Sequence, residues 1–124
     1  MPYLWVALGS ALGGTLRFAI SALLSRSLGG LFPWWTLGVN IAGCLLIGYV
    51  SALNVPPPIR AFLIPGFCGG FTTFSAFSVE FLVLQRAERH LEAWGYVAAS
   101  IGVCLLAAAA GAWLGSFTKL SRNP

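Results

Sequence analysis

Four stretches of this chain, residues 3–24, 36–53, 61–85 and 93–117, are each apolar over close to the roughly 20 residues that a helix needs to cross a bilayer. Only 8% of the 124 residues are charged, against about a quarter in a soluble domain. The pattern predicts an all-α membrane protein, a single domain of four transmembrane helices with no soluble part. Short polar or rigid segments separate the runs. Residues 25–35 carry Gly29, Gly30 and Pro33, with Phe32, Trp34 and Trp35 as an aromatic belt for the membrane interface. Three consecutive prolines, Pro56, Pro57 and Pro58, stiffen the second connection, and residues 86–92 form a charged third one. No charged residue precedes the first apolar run, so it is expected to be retained rather than cleaved as a signal peptide.

The third run contains the most unusual stretch, residues 66–80. Its middle holds Gly69, Gly70, Thr72, Thr73, Ser75 and Ser78, interleaved with Phe71, Phe74 and Phe77, and Phe81 follows directly. Adjacent glycines make a poor helix interior, and threonine hydroxyls can cap a restarted helix. A break is therefore expected over residues 69–73, with helix resuming toward Glu80. Irregular backbone in a membrane survives only where protein or water surrounds it. Beyond the break the phenylalanines share one helical face, beside a short hydroxyl stripe of Ser75 and Ser78. That face is either a plain packing surface or the lining of a path.

Several chemistries are excluded. The net charge of +4 arises from scattered basic residues, which gives no case for nucleic acid. Cys44, Cys68 and Cys104 lie inside the apolar runs without metal-ligand spacing and read as small apolar residues. His90 is the only histidine, no nucleophile–base pair is present, and no strand precedes the glycines at 9–14 to make them a phosphate loop. The chain is not expected to be an enzyme.

The polar residues inside the runs remain. Arg17 lies well within the first, where it either faces a cavity or partner or snorkels to the interface. Asn40 lies one turn into the second, as interhelical glue or as a path-lining donor and acceptor. Tyr96 and Ser100 share a face of the fourth, and Glu80 is the only carboxylate inside a run. Aromatic edges and hydroxyl or amide donors suit a small anion better than a cation. Glycines at 9, 13 and 14, at 38, 43 and 48, and at 111 and 115 offer smooth faces for close helix packing.

Three motifs carry a resemblance. Gly13-Gly14-x-x-Arg17-Phe18, Thr36-Leu37-x-Val39-Asn40-x-x-Gly43 and Gly69-Gly70-Phe71-Thr72-Thr73-Phe74-Ser75-x-Phe77-Ser78-x-Glu80 together resemble the Fluc (CrcB) family of fluoride channels. The likeness spans nearly the whole chain. It implies a fluoride-selective passive channel in the cell (inner) membrane that exports fluoride from the cytoplasm, built as an antiparallel dual-topology homodimer with two pores. It also implies that Phe74 and Phe77 line the fluoride paths, that Asn40 coordinates the anion, and that Ser75 and Ser78 form a hydroxyl track. Tyr96 and Ser100 resemble the polar pair beside that track, and Arg17 resembles a vestibule arginine. Backbone carbonyls of Gly69 and Thr72 would hold a structural Na+ at the dimer centre. Ala76 stands where the family has threonine, so one hydroxyl of the track is missing.

Two other readings compete. Small multidrug-resistance-type cation exporters have a similar length and helix number but need a carboxylate in the first helix, where this chain has only Arg17. A non-transporting assembly subunit explains the glycines but not a broken helix lined with hydroxyls. The flanking charges speak to topology. Arg60, Lys119 and Arg122 fall on one side of a four-span layout, and Arg26, Arg86 and Arg89 on the other. This balance predicts insertion in both orientations, and hence antiparallel pairing within the lipid bilayer.

Overall fold

The computed structural model describes residues 1–122 and is all-helical. Helix α1 (Pro2–Leu28) starts with a proline in its first turn, where the missing amide costs nothing. Helix α2 (Trp34–Ser51) follows, and the third span begins as α3 (Pro57–Ala61). It continues as a π-helical segment (Phe62–Cys68) and as the single turn α4 (Gly69–Phe71). Pro65 lies inside the π-helical stretch, and a proline that cannot donate to the preceding turn favours such local widening. Helix α5 (Phe74–Arg86) completes the third span and α6 (His90–Arg122) forms the fourth. Among the described residues four helical stretches are long and apolar enough to cross a membrane, so the chain is a multi-pass membrane protein.

Two close backbone approaches hold the helices in place. Gly9 and Gly13 of α1 are buried against the third span, where an added Cβ would run into the carbonyls of Phe62 and Phe67. Gly48 of α2 meets the Ala108 carbonyl of α6 in the same way, and Gly111 of α6 meets that of Leu45. Without a hydrophobic drive between helices in lipid, such van der Waals contact is a main source of association. Gly38 differs from expectation, since no neighbouring atom lies within 4 Å of a Cβ placed there. Next to these contacts, Leu37, Phe77, Leu84, Ala93 and Tyr96 form a buried cluster joining α2, α5 and α6.

Parallel packing of α2 and α6 produces a regular ladder. Thr36 and Tyr96 face each other across the Glu80 carboxylate, and Asn40, Cys44, Ser100 and Cys104 share one cavity wall. Gly48 and Ala108 then touch directly. Each step is four residues on both helices, so the rungs lie on one face of each.

Candidate functional site

The site grows from an interruption in the third span. Thr72 (φ −80°, ψ 154°) and Thr73 (φ −147°, ψ 124°) are extended, between helical Phe71 and helical Phe74. Gly69 and Gly70, which the sequence places inside the expected break, are themselves helical. Asn40 explains where the interruption falls. Its Oδ1 accepts from the Thr73 amide at 2.8 Å, and its Nδ2 donates to the Thr73 carbonyl at 3.0 Å. One side-chain amide thus satisfies both backbone groups of an extended, part-buried residue inside a span.

The other freed groups are disposed of locally. Thr73 Oγ1 accepts from the Ala76 amide at 3.1 Å and caps α5. Thr72 Oγ1 donates back to the Cys68 carbonyl at 2.8 Å. Arg17 donates through Nε to the Gly70 carbonyl at 3.2 Å, so a cation well inside the first span serves the helix end. The Gly69 carbonyl is left over. The Thr73 amide that would close the next helical turn on it belongs to Asn40, and Gly69 is exposed in the single chain.

Beside the interruption lies a cavity of about 250 Å³ lined by Asn40, Thr72, Thr73, Phe74, Phe77 and Ser100, with Cys44, Ile101 and Cys104 beyond them. Phe77 is buried and Phe74 is 77% exposed; their ring centroids are 5.2 Å apart. The Ser100 hydroxyl oxygen is buried and has no hydrogen-bond partner among the described residues. A buried, unsatisfied hydroxyl in a cavity wall is a donor available to an occupant.

Not every expected residue reaches this cavity. Ser75 is exposed and pairs with Thr73 Oγ1 at 3.2 Å, while Ser78 returns its hydroxyl to the Phe74 carbonyl at 2.9 Å. Tyr96 sits behind Phe77, with ring centroids 5.0 Å apart, and is fully buried. Its hydroxyl donates to Glu80 Oε2 at 2.7 Å, while Thr36 donates to Oε1 at 2.6 Å. This Thr36–Glu80–Tyr96 network was not anticipated. Its signal was Glu80 itself, because a carboxylate inside a span needs donors, and hydroxyls elsewhere in the spans are the available ones.

Fold and site together define a four-span membrane protein whose third span is interrupted at Thr72 and Thr73, beside a small, mostly apolar cavity with a few polar groups in its wall and a nearby carboxylate that is already paired. The sequence pattern of the family described as CrcB-like protein, Camphor Resistance (CrcB), matches residues 4–112. A relative from Methylocella silvestris, named fluoride-specific ion channel FluC, is 41% identical over 99% of this chain and 96% of its own length. Relatives of the same name from Paramagnetospirillum magneticum and Rhodospirillum rubrum are 43% and 42% identical, each over 93% of this chain and 92% of the relative. The chain belongs to the CrcB family.

Proposed function

We propose that this protein is a fluoride-selective passive ion channel that exports fluoride from the cytoplasm across the inner membrane. It is a conduit and not an enzyme. The observation that carries the reading is the cavity wall. Asn40 and the Ser100 hydroxyl, unpartnered among the described residues, offer donors beside the rings of Phe74 and Phe77, and the nearby carboxylate is occupied by its own donors. A compact anion sheds water only where several donors replace it without one strong charge that would trap it. Ring edges, with their partial positive charge, add to that lining. The names of the relatives point the same way, and the lack of a first-helix carboxylate disfavours a cation exporter.

The working unit is an antiparallel homodimer with two pores. In a lone chain the Gly69 carbonyl, which lacks its helical donor, and the ring of Phe74 would face lipid, which cannot satisfy a free carbonyl. A second copy, inverted in the membrane, covers both, and the three-against-three balance of flanking basic residues permits both insertions. Ser75 and Ser78, on the exposed side of α5, then line a path together with the partner copy. Arg17 stands at its wide entrance.

A structural Na+ fits the same place. The Gly69 carbonyl lacks its helical donor, and the Ala76 amide, the helical donor to Thr72, goes instead to Thr73 Oγ1. Two such sets meeting at a two-fold axis present oxygens suited to a hard monovalent cation, which would brace the dimer. Liposomes loaded with fluoride test the channel reading. Efflux should follow the membrane potential set with valinomycin and persist without a proton gradient; strict dependence on that gradient would contradict it.

A further inference from the structure

The ladder between α2 and α6 places two thiols side by side. Cys44 lies one turn beyond Asn40, and Cys104 one turn beyond Ser100; both line the cavity, and each is partly exposed to it. The two residues occupy facing positions on adjacent helices, on the rung between the Asn40–Ser100 wall of the cavity and the direct Gly48–Ala108 contact. The close approach of Gly48 to the Ala108 carbonyl, one rung further on, fixes the two helices in this register. The third thiol, Cys68, is buried and does not line the cavity.

We propose that Cys44 and Cys104 form a two-thiolate site for a soft, linearly coordinating divalent cation, Hg2+ being the fitting ion, and that its occupancy obstructs the cavity. Among the described residues no group of three or more metal-ligating side chains exists, so ions that need four donors have no cage here. Hard cations need oxygens, whereas thiolates select soft metals. Charge favours a divalent ion, because two thiolates and one Hg2+ leave the partly buried site neutral. On binding, two S–H bonds break, two S–Hg bonds form and two protons pass to solvent, with no change of oxidation state. The obstruction rests on the cavity being the fluoride route; the metal site does not.

The test uses the full-length protein in chloride-free buffer with mercuric nitrate as the probe. After gel filtration in excess 2-mercaptoethanol, wild type and Cys68→Ser should each retain one mercury per chain, while Cys44→Ser and Cys104→Ser should retain none. A wild type stripped by the monothiol overturns the proposal without recourse to any variant. So does equal retention by the serine variants, provided they elute as folded protein. In liposomes, each protein's fluoride efflux is compared before and after mercury, and wild-type efflux should fall to the leak of protein-free vesicles. Retained mercury with unchanged efflux leaves the site standing and removes the cavity from the fluoride route.

Discussion

Asn40 and Thr73, 33 residues apart, exchange two hydrogen bonds of 2.8 and 3.0 Å, so that one side-chain amide stands in for a missing turn of helix. Asn40→Leu should therefore unpair both backbone groups of Thr73. Each buried group left without a partner costs about 1–3 kcal/mol. The variant should melt earlier and lose fluoride flux. Near-normal flux would show that the pair is dispensable.

The phenylalanine face separates lining from packing. Phe74 is 77% exposed in the single chain, so its bulk contributes little to subunit stability. Phe74→Ile and Phe77→Ile should leave a folded protein that conducts poorly, because the aliphatic chain removes the ring edge. Normal flux in both variants returns these residues to simple packing.

Glu80 accepts from Thr36 and Tyr96 and ties three spans together. Thr36→Val and Tyr96→Phe should each leave one carboxylate oxygen unpaired, at about 1–3 kcal/mol. The double variant should cost less than the sum if the two donors act as one network. Thermal unfolding in detergent measures this, and strict additivity would show the donors to be independent.

Topology is testable on the native sequence. Tags at the C-terminus, probed in intact and permeabilised cells, should be found on both sides of the membrane in similar amounts. A single location would refute antiparallel pairing. Extra lysines in the tail should bias insertion and reduce flux.

How much of this was legible beforehand follows from the range of the interactions involved. The four spans were readable because apolar runs of bilayer length are a local property. The interruption was legible as an event, from glycines and hydroxyls in an apolar run, but its position was not. Gly69 and Gly70 accept helical geometry, and the extended residues are Thr72 and Thr73, where Asn40 supplies the lost partners from another helix. Asn40, Phe74, Phe77 and Ser100 do share a cavity, whereas Tyr96 is withheld from it by Glu80. The Cys44–Cys104 neighbourhood was invisible, since it depends on the register of two helices set by Gly48 and Ala108.

The central claim is that the cavity beside the interrupted span passes fluoride and rejects chloride. Purified protein in liposomes loaded with equal fluoride and chloride, opened with valinomycin and followed by two ion-selective electrodes, tests it most directly. The account predicts rapid release of fluoride while chloride stays at the leak of protein-free vesicles. Release of both ions at similar rates would contradict it.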